Sequence, residues 1–545
     1  MLHLSELRHL KPELRDDPWA RFPEPGSSEE HENFAQLQKR LALLWQKVFP
    51  DPREPRTVVV IPSLSMDPEV LSRISGVHHY EERMLFMLML LRLPTTHLIY
   101  VTSEPIAPTI IDYYLNLLPG IPTSHARNRL TLLSCFDASG KPLTQKILER
   151  PKLLQRIIQA IPDIETAHLT CFNATALERT LAVRLGIPLY ACDPDLCWLG
   201  SKSGSRKIFR DAGILMPDGF EDLRSRQDLA LGIAELKERN PDLRRVVIKL
   251  DEGFSGEGNA TFWLEDAPKS GLRAWVNEEL PRRTRFEAMG ETWPHYASKF
   301  ESMGGIVESW VDGENKRSPS VQCRIDPLGA ISVISTHDQI LGGDSGQIFL
   351  GCAFPADEQY RLEVQDTGVR VSDVLKGYGV RGRFSIDFIS VKEGETWRHF
   401  AIEINLRKGG TTHPFLMLQF LTDGRYQADT GLYLTPTGRE RYYYASDNLV
   451  SEDYRGFTPA DLIDIAVEHD LHFHGGTQQG VVFHLVGALS EYGKLGVLCI
   501  ADGPQRARTL YDEAVEVINF EASKQAAYRR SLKLEEFAAT YVPSG

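Results

Sequence analysis

The stretches FSIDFI (384–389) and FAIEINLRKGGTTHP (400–414) decide the fold of this chain. In the first, Asp387 stands in an alternating run of polar and apolar residues. In the second, period two places three polar residues on one face of a strand, namely Glu403, Asn405 and Arg407. If the two strands form an antiparallel hairpin, Asp387 lies beside Glu403.

These polar residues form a compact set of oxygen ligands, with Asp387, Glu403 and Asn405 as the candidate metal ligands. Two carboxylates and one carboxamide suit Mg²⁺, which takes a few protein oxygens and completes its octahedron with water and substrate phosphate. Arg407, on the same face, can reach a transferring phosphoryl group as a delocalised donor. For this motif alone, two half-buried strands with a solvated polar face explain the pattern equally well.

A second element of a phosphate site precedes the hairpin, in VVIKLDEGFSGEG (246–258). An apolar strand leads into Lys249, which supplies a positive charge, and a glycine-rich loop follows. Residues without a Cβ atom let backbone N–H groups close over phosphates. The candidate loop residues are Gly253, Ser255, Gly256 and Gly258. No Gly-Lys-Ser/Thr ends the loop, so it is not a Walker A motif, and a plain hairpin turn is the alternative.

A third element is IVESWVDGEN (306–315), which is typical of an extended linker. Such a segment offers backbone N–H and C=O groups to an adenine edge, with Glu308 accepting a hydrogen bond from the amino group. Glu314 or Asn315 is then placed to meet the ribose. In isolation, the same residues are simply a strand with a turn.

A fourth element is SKSGSRKIFRDAG (201–213), in which Lys202 precedes a short amphipathic helix. The helix ends at Ala212-Gly213. Lys202 is a candidate second cation on the phosphates. The alternative is the solvated start of an ordinary helix.

Together and in this order, the four elements resemble the ATP-grasp superfamily. The resemblance implies two α+β lobes that grip ATP between them, with Mg²⁺ as the metal cofactor. It implies that Lys202 and Lys249 contact the phosphates, that the mobile loop Gly253–Gly258 covers them, and that Glu308 and Val311 flank the adenine.

The same resemblance assigns the chemistry at the other end of the nucleotide. Mg²⁺ would be held by the oxygen ligands named above, and Arg407 and Lys249 would be the catalytic residues. The ribose position departs from the family pattern, because Glu314 and Asn315 compete for it.

The flanking segments resemble the pheganomycin-type peptide ligases. The segments that carry this likeness are PDGFEDLRS (217–225), SPSVQCRIDPLG (318–329), STHDQILGGDSGQIFLGCAFPA (335–356) and QQGVVFHLVGALSEYGKLGVLCIA (478–501). The likeness implies a pre-ATP-grasp domain, a distinctive C-terminal domain, and an amide formed between the carboxylate of an amino acid and the amine of an amino acid or peptide. Within THDQILGGDSGQ (336–347), Asp338 and Gln339 are candidates for contact with substrate.

The chain divides by pattern into four parts. Residues 1–56 form an extension with one amphipathic helix. Residues 57–196 alternate helices with strand-like runs, which predicts a Rossmann-like parallel sheet. The runs are VVVIP (58–62), HLIYVTS (97–103), AHLTCF (167–172) and IPLYA (187–191). Residues 197–440 hold the catalytic lobes, and residues 441–545 form a small α+β domain, in which Thr458 is the predicted N-cap of a helix with Pro459 at its first position. The fold class is therefore α/β and α+β multidomain. No GxGxxG follows any strand of the parallel sheet, so no cofactor is assigned to it.

Bulk properties exclude other classes of function. The formal net charge of −13 gives a nucleic-acid-binding role no support. Seven single cysteines without a CxxC pair indicate reduced thiols in a cytoplasmic protein. The most apolar run, MLFMLMLL (84–91), is too short to span a bilayer, and the N-terminus lacks a signal peptide. A membrane partner is therefore not expected, whereas a homo-oligomer is compatible with the sequence.

The function predicted on this basis is that of an ATP-dependent carboxylate–amine ligase. The expected partners are a small-molecule or peptide carboxylate and an amine. Two alternatives stay open, namely another ATP-grasp reaction such as a small-molecule kinase, and a non-catalytic ATP-binding regulatory protein. A complete set of metal ligands with Arg407 argues against the second alternative, because binding alone does not require a transition-state set.

Overall fold

The computed structural model describes residues 22–66, 71, 74, 76–253, 258–342, 346 and 348–531. Helices and strands alternate through most of this range and build three main sheets. Within the same range, no helix is long and apolar enough to cross a membrane.

The first sheet is four-stranded and parallel, in the order β3–β2–β1–β4. Its strands are β1 Arg56–Ile61, β2 Thr96–Thr102, β3 Leu130–Ser134 and β4 Ala167–Cys171. This confirms the parallel sheet predicted from the alternation of patterns. The run IPLYA (187–191), predicted as a strand, forms only an isolated bridge beside β4, whereas β3 was not predicted.

Helices cover both faces of this sheet. The α-helices are α1 Ser28–Val48, α2 Pro108–Asn116, α3 Thr123–Arg127, α4 Leu143–Leu148, α5 Pro151–Ala160 and α6 Ala176–Leu185, and the 3₁₀ helices are Val77–Arg92, Ile164–Thr166 and Pro194–Gly200. Helix α1 is the predicted amphipathic helix, and its Gln38 side chain hydrogen-bonds the backbone of Leu189 in both directions. Helix α6 begins with a capping box of Thr175 and Glu178.

The second sheet is five-stranded, in the order β5–β9–β6–β7–β8. Its strands are β5 Gly219–Leu223, β6 Arg245–Leu250, β7 Asn259–Trp263, β8 Arg285–Phe286 and β9 Gly305–Ser309. The helices of this lobe are α7 Lys202–Asp211, α8 Arg226–Arg239, α9 Leu272–Arg283 and α10 Trp293–Met303. Strands β6 and β7 form the antiparallel hairpin that carries the glycine-rich loop.

The third sheet has nine strands and runs β10–β14–β11–β12–β13–β18–β20–β19, with β15 paired to β14. Its strands are β10 Lys316–Arg317, β11 Pro319–Ile325, β12 Ile331–Gly342, β13 Ile348–Phe354, β14 Gly382–Glu393, β15 Thr396–Asn405, β18 Tyr442–Val450, β19 Gly480–His484 and β20 Lys494–Ala501. Strands β16 Arg425–Gln427 and β17 Leu432–Leu434 form a separate hairpin. The predicted boundary at residue 440 falls between β17 and β18. Strands β18, β19 and β20 lie after this boundary, yet they belong to the same sheet as β13.

The remaining helices pack around this large sheet. They are α11 Arg361–Gly377, α12 Thr412–Thr422, α13 Pro459–Glu468, α14 Leu489–Tyr492 and α15 Pro504–Ser531, with 3₁₀ helices at Glu452–Tyr454 and Val486–Ala488. The start of α13 was predicted, and the structure confirms Thr458 as the N-cap with Pro459 in the first turn.

One hydrophobic core joins the first and last parts of the chain. It contains Met84 from the 3₁₀ helix Val77–Arg92, Phe354 and Phe415 from the large sheet and α12, and Val482 from β19, all buried. Burial of apolar surface is the main stabilising term in folding. The parallel sheet, the large sheet and the C-terminal strands are therefore held together by shared packing.

Candidate active site

The hairpin of β14 and β15 brings the predicted metal ligands together. Asp387 pairs with Glu403 and Ser385 with Asn405 in the antiparallel register, which confirms the hairpin predicted from period two. The Asn405 amide nitrogen lies 3.0 Å from an Asp387 carboxylate oxygen and 3.1 Å from a Glu403 carboxylate oxygen. Three oxygen-bearing side chains therefore meet at one point.

This donor set fits a divalent cation that prefers hard oxygen ligands. Burial raises the pKa of Asp387, which favours any ligand that brings positive charge. Gln339 fixes the same carboxylate by donating to its second oxygen at 2.9 Å. For the described residues, no group of three or more His, Cys, Asp and Glu side chains is arranged to hold a metal. Among the described residues, the two carboxylates with the Asn405 carboxamide are the oxygen donors that meet at this point.

Lys202 lies on this carboxylate pair. Its ammonium group forms an ion pair with Glu403, and burial together with the nearby Lys249 and Arg407 lowers its pKa to about 7. The helix that begins at Lys202 is held in place by Asp251, whose carboxylate accepts from the Ser203 backbone N–H at 2.8 Å. Lys202 is therefore a largely enclosed amine, 14% exposed, whose present partner is a predicted metal ligand.

Lys249 belongs to a buried ion triad. Its ammonium group lies 2.7 Å from a Glu308 carboxylate oxygen, and the Arg206 guanidinium lies 2.7 Å from the other oxygen. Glu308 is only 2% exposed. Its carboxylate, predicted to accept from an adenine amino group, is instead occupied by two cations. Arg206 was not predicted as a site residue. Its position among the apolar residues of a short helix could have indicated a buried arginine with a specific partner.

The glycine-rich loop connects β6 to β7, as predicted. Gly253 and Gly258 lie on the cavity wall, and the Tyr296 hydroxyl donates to the Gly258 carbonyl at 3.0 Å. Ser255 and Gly256 lie outside the described residues.

The segment after β9 supplies the opposite end of the cavity. The wall is lined by Ser309, the last residue of β9, and by Trp310 and Val311, which follow the strand. Glu314 and Asn315 are exposed and lie outside the wall. Both were candidates for the ribose, and the structure brings neither of them to the cavity, because the chain turns away into β10.

Asp338 and Gln339 point to opposite faces of β12. Gln339 faces the cavity and Asp387. The Asp338 carboxylate instead accepts from the Tyr360 hydroxyl at 2.6 Å and the Asp357 backbone N–H at 2.9 Å, beside the start of α11. Successive residues of a strand alternate in direction, so the structure does not bring Asp338 to the cavity, whereas Gln339 stays a candidate for contact with substrate.

Arg407 follows β15 and lies near the carboxyl end of β4 in the parallel sheet. Burial lowers the pKa of Arg407 to about 10, Asp387 acts to raise it, and Arg83 acts to lower it. Its neighbour Lys408 donates to the Thr170 hydroxyl at 3.1 Å, at the carboxyl end of β4. The parallel sheet thereby fixes the segment that carries Arg407.

One cavity of about 660 Å³ is lined by the residues Lys202, Lys249, Gln339, Asp387, Glu403, Asn405 and Arg407. Its far wall is built from parts of the chain that carried no predicted site residue, namely Tyr80 and Arg83 of the 3₁₀ helix Val77–Arg92, Asp447 of β18 and Lys494 of β20. In the sequence, the charged residue Arg83 stands directly before the apolar run MLFMLMLL. A charge at such a position could have indicated a functional residue.

Two family models match parts of this chain. The family model described as IQCH-like, ATP-grasp, matches residues 196–288 and 280–429. The PGM1 C-terminal domain matches residues 461–514. The first match covers the elements that hold the predicted nucleotide and metal residues.

Curated relatives match over most of the chain. The L-propargylglycine–L-glutamate ligase of Streptantibioticus cattleyicolor is 30% identical over 460 residues, which cover 83% of this chain and 92% of the relative. The IQ motif-containing protein H of Danio rerio is 22% identical over 96% of this chain, and the chain spans 53% of that relative.

Solved structures share the fold. The biotin carboxylase–β-γ-ATP complex from Campylobacter jejuni superposes with a TM-score of 0.51 at 14% identity, covering 86% of this chain and 95% of that chain. The 30% identity to a ligase over most of both chains, together with the ATP-grasp family match, shows the family. The chain belongs to the ATP-grasp carboxylate–amine ligases, in the group similar to the pheganomycin-type peptide ligases.

Proposed function

We propose that this protein joins a carboxylate to an amine through an acyl phosphate, converting ATP to ADP and phosphate. One observation carries the proposal: the paired carboxylates Asp387 and Glu403, the cations Lys202 and Lys249, and Arg407 line the same cavity. Its volume of about 660 Å³ lies in the range of small-molecule sites.

In the first step, an oxygen of the substrate carboxylate attacks the γ-phosphorus of ATP, and the bond to the bridging oxygen of ADP breaks. Lys202, Lys249 and Arg407 stabilise the negative charge that moves to that oxygen. Bound at the β14–β15 hairpin, Mg²⁺ would supply further charge neutralisation at the phosphate oxygens. When ATP binds, the Lys202 side chain would leave Glu403 and contact a phosphate oxygen. This movement is short, because Lys202 and Glu403 line the same cavity.

In the second step, the amine attacks the acyl carbon and inorganic phosphate leaves. No protein nucleophile is needed, because positioning and electrostatics supply the rate. The loop between Gly253 and Gly258 would exclude water, to which an acyl phosphate is reactive.

The nucleotide base has a defined place in this scheme. Backbone groups of Ser309, Trp310 and Val311 are proposed to meet the adenine edge. Glu308 acts indirectly, since it holds Lys249 and Arg206 in the ion triad and keeps Lys249 at the phosphate end.

The first substrates to test are amino acids. The relative from Streptantibioticus cattleyicolor is a ligase of L-propargylglycine and L-glutamate, and the cavity here presents both positive and negative side chains on its far wall. We therefore propose an amino acid as one substrate and an amino acid or peptide as the other.

The proposal is tested by phosphate release from MgATP with pools of amino acids and dipeptides, together with mass spectrometry of the products. Release should require both an acid and an amine and should give a condensed product with ADP. Glu403→Ala should lower kcat by a factor of about 100 or more, because a ligand to the phosphate-binding metal is lost.

The matched control is Glu393→Ala in the same hairpin. Glu393 pairs with Arg398 at the surface, so this variant should keep the parent rate. A stable phosphorylated product that forms without an amine would favour a kinase instead. Equal rates for the two variants would contradict the assignment of the hairpin.

A further inference from the structure

The far wall of the cavity holds an ion pair between distant parts of the chain. Arg83, on the 3₁₀ helix Val77–Arg92, lies 2.8 Å from a carboxylate oxygen of Asp447 on β18. Their side chains are 13% and 10% exposed, and both line the main cavity. The pair therefore faces ligand space rather than bulk solvent.

Each partner keeps unused bonding capacity. A guanidinium has five N–H donors, and the buried Arg83 Nε has no hydrogen-bond partner among the residues that the structure describes. Asp447 binds Arg83 through Oδ2, and across the described ranges its Oδ1 accepts no hydrogen bond. The remaining Nη donors of Arg83 and the second carboxylate oxygen of Asp447 can therefore bind a ligand that enters the cavity.

The residues around the pair keep its charges directed at the cavity. Tyr80 lies beneath Arg83, with the guanidinium carbon 4.0 Å from the ring centre, and the Lys494 ammonium lies 4.9 Å from the same ring. Behind the pair, His413 and His484 line a space of about 10 Å³ with it. Burial and the nearby Arg83 lower the pKa of His484 to about 3. The imidazole ring of His484 next to the ion pair is therefore neutral.

We infer that Arg83 and Asp447 form the subsite that binds the zwitterionic head of an α-amino-acid substrate. The guanidinium would bind the α-carboxylate in a charge-assisted contact, and the free oxygen of Asp447 would accept from the α-ammonium. An amino acid carries both charges on one carbon, which matches two opposite charges in direct contact. A peptide terminus carries only one of them.

This subsite adjoins the reaction centre. Arg83 and Arg407 line the same cavity, and Arg83 is close enough to influence the Arg407 guanidinium electrostatically. An amino acid held by its head would extend its side chain towards Arg407, so the group that reacts there would be a side-chain group, such as a side-chain carboxylate. The inference rests on the proposed function for its context, but binding at the subsite does not require turnover.

The test measures binding by calorimetry in the presence of Mg²⁺ and a non-hydrolysable ATP analogue. The twenty proteinogenic amino acids and L-propargylglycine are screened, and the tightest ligand is compared with its α-carboxamide and Nα-acetyl derivatives. Each derivative should bind the parent protein about 10- to 100-fold more weakly, since one charge-assisted contact is lost.

Variants then assign each contact to its residue. Arg83→Gln should bind the amino acid and its α-carboxamide equally, and Asp447→Asn should bind the amino acid and its Nα-acetyl derivative equally, because the contact is already absent. Nucleotide affinity should stay within about twofold of the parent. The control is Arg92→Gln, since Arg92 lies on the same 3₁₀ helix and pairs with Asp423 outside the cavity.

The inference is overturned if no amino acid binds the parent protein, or if the blocked derivatives bind as well as the amino acid. It is also overturned if Arg83→Gln weakens both ligands by the same factor, which is the result of a purely structural role. Binding with these discriminations but without any condensed product would preserve the subsite and refute the ligase.

Discussion

At the scale of the residue, Lys202 couples nucleotide binding to proton uptake. In the free protein it is largely enclosed, its ammonium group contacts Glu403, and its pKa is lowered from 10.5 to about 7. Above pH 7 the neutral amine therefore predominates. ATP brings negative charge to this position and favours the ammonium form, so its binding should raise the pKa again.

We predict that ATP binding at pH 8 takes up about one proton in the parent protein. The window follows from the direction of the shift, because uptake requires a pH above the lowered pKa and below the ordinary value of 10.5. Calorimetry in buffers of different ionisation enthalpy measures it. Lys202→Arg, with a guanidinium that stays protonated, should bind ATP without that uptake. An unchanged uptake in this variant would show that another group is responsible.

Single residues differ in how far the sequence specifies them. Asp387, Glu403 and Asn405 could be predicted, because period two and one hairpin fix their relative positions. Arg83 and Asp447 could not, since their contact joins residues 364 positions apart in sequence. Such a contact depends on packing that no local pattern encodes.

At the scale of the element, β12 separates a structural face from a functional one. Asp338 supports the start of α11 through Tyr360 and Asp357, and Gln339 contacts Asp387 on the other face. The residues are neighbours in sequence, yet their substitutions should have different effects.

We predict that Asp338→Ala lowers the free energy of unfolding by about 1–3 kcal/mol, because it leaves the buried Tyr360 hydroxyl without its acceptor. Its kcat should remain close to that of the parent. Gln339→Ala should instead lower kcat about tenfold or more with little loss of stability, since an outer partner of a metal ligand is removed. Denaturant unfolding and steady-state kinetics on both variants check this. A loss of kcat confined to Asp338→Ala would reverse the assignment of the faces.

Elements were predictable where the pattern was strong. Strands β1, β2 and β4 are buried along most of their length and were predicted from the β-rich runs VVVIP, HLIYVTS and AHLTCF. Strand β3 was missed because its five residues are partly exposed at the sheet edge. The run IPLYA has strand character but lacks a long neighbour, so only one bridge forms. Its outcome was decided by tertiary context rather than by propensity.

At the scale of the whole molecule, the C-terminal region completes the catalytic lobe. Strand β18 pairs with β13, with Gly351 opposite Ser446. Tyr443 stacks on Phe354 with ring centres 4.9 Å apart. The sequence marked a change of composition near residue 440, but the pairing across it is long-range. Domain limits drawn from composition therefore do not reveal a shared sheet.

We predict that a chain ended after residue 440 does not fold. Its β13 edge would be unpaired, and the core that contains Val482 and Leu498 would lose one side. In the full chain, the catalytic lobe and the C-terminal strands should unfold in one calorimetric transition. Hydrogen exchange on β13 and β18 should give equal protection. Independent unfolding of the two regions would contradict the account.

The central claim is that the substrate carboxylate itself receives the γ-phosphoryl group. The most direct test uses an acid substrate labelled with ¹⁸O in its carboxylate, followed by mass spectrometry of the released phosphate. One ¹⁸O atom should appear in inorganic phosphate for each amide formed, because the acyl oxygen leaves with phosphorus. Phosphate without label, or label in AMP, would contradict carboxylate activation by this route.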